Sequence, residues 1–198
     1  MWVKVCGLTR TPDVAAAVEA GADAVGFVAY AGSPRYAPVE AIATLARGVP
    51  ITRIVLTVDV DVDAALEIVR ATGVDGIQPY GQHAADVSAA ARSGGLMVLR
   101  PVTAAPNLDL PVHDGAIPLV DTSDESLHGG TGRTFDWSLV RDIGRSFVLA
   151  GGLGPDNVAA AIAATRPWGV DASSRLEVEP GVKDAGKVAA FIQEAKQA

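Results

Sequence analysis

Short apolar runs recur about every 25 residues, each followed by a stretch with helical spacing, and this alternation restricts the fold more than any other feature. The runs are Trp2–Cys6, Ala24–Val28, Ile51–Val58, Gly76–Gln78, Leu96–Leu99, Ile117–Val120, Phe147–Ala150 and Gly169–Ala172. Helical patterns lie at Pro12–Ala20, Val39–Arg47, Val62–Thr72, Ala84–Ser93, Trp137–Ile143, Pro155–Thr165 and Asp184–Lys196. Strand and helix alternating throughout imply a parallel sheet, because parallel neighbours need a crossover between them. Eight such runs in 198 residues favour a closed (β/α)8 TIM barrel over an open doubly wound sheet, with residues 1–198 as a single domain. The connection after Leu99 is the exception. Residues 101–116 hold three prolines and little helical signal, so the fifth helix is expected to be short or absent.

Three strand approaches resemble one another: Ala20-Gly21-Ala22-Asp23-Ala24-Val25, Thr72-Gly73-Val74-Asp75-Gly76-Ile77 and Trp168-Gly169-Val170-Asp171-Ala172-Ser173. In the first two, glycine suits the left-handed conformation that closes a helix. In the third the strand begins at the glycine, which puts Asp171 inside the strand or at its end. Thr11-Pro12 and Gly154-Pro155 place proline in a first helical turn.

Composition narrows the partners. The net charge is −7, which argues against nucleic acid, a ligand that needs a basic face. No apolar stretch is long enough to span a bilayer, and Met1-Trp2-Val3-Lys4 runs straight into the first strand without a signal segment. A lone cysteine makes no intramolecular disulfide, so a reducing cytoplasm is the expected compartment. Three scattered histidines and one cysteine show no metal-ligand spacing, and no metal is expected. A small anionic substrate stays open, because backbone amides bind phosphate even on an acidic protein.

In a barrel, chemistry gathers where strands end. That rule selects Cys6, Arg35, Asp59, Gln78, Arg100, Asp121, the pair Gly151-Gly152, and Asp171-Ala172-Ser173-Ser174. Cys6 after strand 1 and Asp121 after strand 6 lie nearly opposite and can act as a base and an acid on one small molecule. Asp121 leaves an apolar strand, and desolvation favours the protonated carboxyl that a general acid needs. Plainer readings compete: a buried cysteine is often just a small hydrophobe, and Asp121 with Thr122 can cap a turn.

Glycines gather late, in Gly129-Gly130-Thr131-Gly132 and Gly151-Gly152-Leu153-Gly154, and Ser173-Ser174 follows strand 8. Loops 7 and 8 of such barrels often hold a phosphate on backbone N–H groups, although glycine also serves tight turns. With no matching glycine loops in the N-terminal half, one phosphate is indicated. Arg35, in Ser33-Pro34-Arg35-Tyr36, is placed to reach a carboxylate or to remain a solvated surface arginine. Trp137 reads as a packing anchor at a helix start with Asp136 as its N-cap.

These segments closely resemble the phosphoribosylanthranilate isomerase family of tryptophan biosynthesis, from end to end. The resemblance rests on Lys4-Val5-Cys6-Gly7-Leu8-Thr9, Gly21-Ala22-Asp23-Ala24-Val25-Gly26-Phe27, Ser33-Pro34-Arg35-Tyr36, Val120-Asp121-Thr122 and residues 129–137. It continues through Leu149-Ala150-Gly151-Gly152-Leu153 with Pro155 and Asn157, then Arg166-Pro167, Val170-Asp171 and Pro180-Gly181-Val182-Lys183-Asp184. It implies a cofactor-free Amadori rearrangement of a small phosphorylated aminoaldose by a monomer or homodimer. Cys6, as thiolate, would take the proton from sugar C2′, and Asp121 would protonate the ring oxygen. The substrate would meet Arg35, at its carboxylate, with Gln78, Tyr80 and Asp171. The phosphate would meet Gly151, Gly152, Ser173, Ser174 and Arg175. Lys4 should share a strand face with Cys6 and help it ionise.

Departures cluster at the ligand-facing loops. Where the family usually has Gln-Leu-His-Gly, this chain has Gln78-Pro79-Tyr80-Gly81. Where it usually has Ser-Ser-Gly-Val-Glu, this chain has Ser173-Ser174-Arg175-Leu176-Glu177. The usual phenylalanine-asparagine pattern after strand 3 reads Thr57-Val58-Asp59, and Ala29 stands in place of an aromatic. Two alternatives to the family's own reaction therefore stay open: a diverged enzyme for a related aminosugar phosphate or aromatic acid, and a non-catalytic ligand-binding barrel.

Overall fold

The computed structural model describes residues 1–105, 108, 115–121, 136–140 and 146–198. Strand β1 (Trp2–Val5) pairs in parallel with β2 (Ala24–Val28) on one side and with β8 (Gly169–Ala172) on the other, so the sheet has no free edge. Between them run β3 (Thr52–Val58), β4 (Gly76–Tyr80), β5 (Met97–Thr103), β6 (Ile117–Asp121) and β7 (Val148–Leu149), in sequence order around a closed eight-stranded barrel. Among the described residues six helices accompany them: α1 (Thr11–Glu19), α2 (Val39–Ala46), α3 (Val62–Thr72), α4 (Ala84–Ser93), α5 (Val158–Thr165) and α6 (Ala185–Gln197). After β8 come a 3-10 turn, Ser174–Leu176, and a hairpin of β9 (Glu177–Glu179) and β10 (Val182–Lys183).

Side chains alternate across each strand, which sorts the core into two populations. Val3, Val25, Phe27, Val55, Ile77, Val98, Val120 and Leu149 face the helix layer. Ala24, Ile54, Leu99, Leu119, Val148 and Ala150 fill the barrel interior. The repeated aspartates before β2 and β4 bind neighbouring strands at the N-terminal end. Asp23 accepts from the Val3 N–H at 2.8 Å, and Asp75 from the Arg53 N–H at 2.9 Å. The third aspartate of that series, Asp171, lies inside β8, as its position after the glycine implied. Gly73 closes α3 in the left-handed region, at φ 66°.

Several boundaries differ from the sequence reading. β4 and β5 run on to Tyr80 and Thr103, through Pro79 and Pro101. A proline removes only its own N–H from a ladder, and its carbonyl still accepts. α5 begins at Val158, so Pro155 lies in the preceding turn and Asn157 is the N-cap. Trp137–Val140 is a 3-10 turn, with Asp136 Oδ1 accepting from the Ser138 N–H at 2.9 Å and Trp137 packed on the core as an anchor. Most of the fifth connection, together with Thr122 and Gly129-Gly130-Thr131-Gly132, lies outside the described residues. No helix among the described residues is long and apolar enough to cross a membrane.

Candidate active site

The register of β1 against β8 sets Lys4 beside Asp171 on the interior face. Lys4 is fully buried, and its ammonium donates to Asp171 Oδ2 and to Gln78 Oε1, each at 2.9 Å. Burial works against the Lys4 charge, but Asp171 and Cys6 together hold Lys4 above its ordinary value. Burial pushes Asp171 up, with Lys4 pulling the other way, and Asp171 Oδ1 has no hydrogen-bond partner among the described residues.

Cys6 follows β1 and is only 6% exposed. Gly26, on the adjacent strand, makes room for it: a Cβ there would lie 2.8 Å from Cys6 Sγ and 3.0 Å from Lys4 Cε. Burial raises the thiol above its ordinary value, and Lys4, foremost, with Lys183 pulls it back down. Lys4 and Lys183 are thus the groups that favour its ionisation, against burial and Asp171.

Asp121 ends β6, buried, two residues beyond the interior-facing Leu119. Tyr80 ends β4, and its hydroxyl accepts from Gln78 Nε2 at 3.0 Å. Burial, then the charge of Asp121, pushes the Tyr80 phenol well above its ordinary value, and the fields of Cys6 and Asp171 add to the rise. Cys6, Asp121, Tyr80 and Asp171 thus share one mouth. Val28, Leu56 and Val58, with Tyr30 and Tyr80, form an apolar wall there, separate from the interior core. Gln78 lies within β4 and not in a loop, and Arg100 is mid-strand in β5. Asp59 instead shapes its own turn, at φ 52° with Oδ1 accepting from the Gln82 N–H at 2.9 Å.

Arg35 is not a solvated surface arginine. Its Nε and Nη2 each donate at 2.8 Å to a separate oxygen of Glu177. Lys183 donates to Glu177 Oε1 at 2.7 Å and to the Ser173 carbonyl at 3.1 Å. Ser173 Oγ in turn donates to the Cys6 carbonyl at 3.0 Å. Glu177 and Lys183 were not among the site residues picked out from the sequence. Their signal was the turn-forming Pro180-Gly181, which folds β9 onto β10.

The 151–154 loop joins β7 to α5. Gly151 and Gly152 both take positive φ, 84° and 63°, a path that residues with a Cβ rarely follow. Asn157 fixes its shape, donating to the Gly152 carbonyl at 3.0 Å and accepting from the Gly154 N–H at 2.8 Å. Ser174 opens the 3-10 turn beyond. Arg175 pairs with Asp156 at 2.6 Å, and its Nε would lie 3.0 Å from a Cβ on Gly154.

A model of the N-(5'-phosphoribosyl)anthranilate (PRA) isomerase family matches residues 3–194. The chain belongs to that family. An N-(5'-phosphoribosyl)anthranilate isomerase of a Geobacter species is 41% identical over 202 residues, covering 98% of each chain. The crystal structure of phosphoribosyl anthranilate isomerase from Thermotoga maritima is similar with a TM-score of 0.85 and 31% identity, covering 100% of both chains. A further PRA isomerase structure, with a TM-score of 0.82 and 30% identity over 100% of both chains, holds reduced 1-(O-carboxyphenylamino)-1-deoxyribulose 5-phosphate. Against the PRA isomerase pattern, the departures Tyr80 and Arg175 fall at the mouth and beside the 151–154 loop.

Proposed function

We propose that this chain converts N-(5-phosphoribosyl)anthranilate into 1-(2-carboxyphenylamino)-1-deoxyribulose 5-phosphate by general acid and base catalysis, without a cofactor. The observation that carries this reading is the placing of Cys6 and Asp121 in one mouth, with Lys4 and Asp171 as a buried ion pair near the thiol.

Asp121 gives its proton to the ring oxygen, the bond from that oxygen to C1′ breaks, and the nitrogen lone pair forms the Schiff base. Cys6 as thiolate then removes the C2′ proton. The C2′–H electrons form the C1′–C2′ double bond while those of the C=N bond return to nitrogen. The enol of this enamine becomes the ketone by transfer of a proton to C1′. The anthranilate ring lies on the wall of Val28, Leu56, Val58, Tyr30 and Tyr80. Its carboxylate meets Arg35 at Nη1, since Glu177 holds Nε and Nη2. The phosphate lies on Gly151, Gly152, Ser173 and Ser174 near the N-terminus of α5, with Arg175 at its edge. Residues 1–198 act as one domain, in the cytoplasm, as a monomer or homodimer whose named site residues all come from one chain.

The test is a steady-state assay on freshly generated phosphoribosylanthranilate, following loss of anthranilate fluorescence, with Cys6→Ser as the control. A kcat/KM of about 10⁴–10⁸ M⁻¹s⁻¹ that collapses in Cys6→Ser supports the proposal. Absent turnover, or turnover that ignores the mutation, overturns it.

A further inference from the structure

Three side chains inside the barrel form a hydrogen-bond chain with only one possible direction. Lys4 carries donors and no acceptor, so the Gln78 atom facing it at 2.9 Å must be Oε1. That fixes the amide: Gln78 presents Nε2, a donor with no acceptor capacity, to the Tyr80 hydroxyl at 3.0 Å. Tyr80 must accept there. Its single proton therefore points to some acceptor other than Gln78. Asp171, bound to the far side of Lys4, anchors the start of the chain.

Tyr80 closes β4 and Asp121 closes β6, with β5 alone between them. Both are interior positions by strand alternation, in step with Gln78 and Leu119. We propose that Tyr80, which stands where the family usually has histidine, is a positioning residue for Asp121, its hydroxyl proton being donated to one carboxyl oxygen of that residue. This rests on the reading of Asp121 as general acid. A carboxyl engaged on one oxygen keeps its own proton on the other, the oxygen available to the substrate. When that proton moves to the ring oxygen, the new carboxylate already has a donor in place, so the charge is stabilised as it forms. Burial foremost raises the Tyr80 phenol; a charge on Asp121 adds to the rise, as do Cys6 and Asp171, and the Gln78 donor opposes it.

Tyr80→Phe removes the donated proton with little change in volume. We expect kcat to fall about tenfold with KM within about threefold of wild type, the pattern of an interaction made in the transition state. In an Asp121→Asn background the same substitution should have no further effect on kcat. A second readout needs no turnover. With tyrosines labelled at Cζ, carbon NMR follows the Tyr80 ionisation: Asp121→Asn should lower its midpoint and Gln78→Leu should raise it. A Tyr80→Phe that raises KM alone makes Tyr80 a substrate contact and overturns the proposal. So does additivity with Asp121→Asn, or a Tyr80 midpoint that Gln78→Leu leaves in place or lowers. If Asp121→Asn instead turns over like wild type, the general-acid reading fails, while the NMR result still decides whether Tyr80 and Asp121 interact.

Discussion

Arg35 and Glu177 are 142 residues apart in sequence, yet the arginine grips the carboxylate through two parallel hydrogen bonds of 2.8 Å. The bidentate geometry locks the Arg35 fork and turns Nη1, which Glu177 does not engage, toward other partners. Glu177 also holds the buried Lys183, whose bond to Ser173 carries the same network to the Cys6 turn. One carboxylate therefore ties the hairpin to both the second loop and the first strand's end.

Glu177→Gln should cost about 3 kcal/mol, because it leaves the Lys183 ammonium buried without a counter-charge. Burial disfavours the Glu177 charge, but Arg35 and Lys183 together hold it below the usual carboxylate value. A depressed folded-state value means the stabilisation is present above the unfolded value and is lost as pH falls through the folded one. Urea unfolding of wild type and variant should thus diverge at neutral pH and converge below the ordinary carboxylate range. A constant gap across pH would show that the charge of Glu177 is not the source.

Cys6→Ser and Asp121→Asn should each lower kcat by about 10²–10⁴-fold while KM stays within about threefold. Circular dichroism on both variants separates lost chemistry from lost fold.

Lys4 and Asp171 act on the Cys6 thiol with opposite signs. Lys4 pulls the Cys6 ionisation down and Asp171 pushes it up. Lys4→Met should therefore raise the thiolate midpoint, followed by ultraviolet absorbance, and Asp171→Asn should lower it. Lys4→Met alone leaves Asp171 buried and unpaired, a loss of about 3–5 kcal/mol, and adding Asp171→Asn should recover most of that stability. A thiolate midpoint indifferent to both substitutions would remove the ion pair from any part in the ionisation.

Gly26→Ala tests the space between β1 and β2. Its Cβ would meet Cys6 Sγ at 2.8 Å and the Cys6 Cα at 3.3 Å, the latter on the backbone. The strand must shift, at about 1–3 kcal/mol, and the thiol moves with it. Turnover should fall at least tenfold by the loss of alignment, a distance effect that assays of kcat against thermal stability will separate.

The barrel was legible because each strand and helix announces itself locally. The bounds of β2, β8, α3 and α4 match the sequence reading to the residue, since apolar spacing, the Asp61 cap and glycine stops mark them. β4 and β5 were read short because Pro79 and Pro101 look like strand ends, whereas neighbouring strands hold them in register. Cys6, Asp121 and Gln78 were picked out by their place after or within strands. Glu177 and Lys183 were not, because their importance lies in partners on distant segments, joined only when β9 and β10 fold across the barrel's end. Lys4 announced its face, by alternation with Cys6, but not its partners Asp171 and Gln78, which barrel closure supplies.

Arg175 replaces a glycine of the family pattern, and its surroundings decide between crowding and contact. Its guanidinium is paired with Asp156 at 2.6 Å, with 34% and 66% of the two side chains exposed, so the pair is worth about 0–1 kcal/mol to the fold. Arg175→Ala should accordingly leave the melting temperature almost unchanged. The arginine sits against Gly154, beside the two positive-φ glycines on which the phosphate is proposed to lie. A phosphate there gains a charge-assisted donor, and Asp156 competes for it. Arg175→Ala should raise KM about tenfold with kcat nearly constant, the signature of binding made equally in ground and transition states. Asp156→Asn should lower KM by releasing the same guanidinium. Were Arg175→Ala instead to lower KM, the side chain would be an obstruction in the loop, and the phosphate would rest on backbone amides alone.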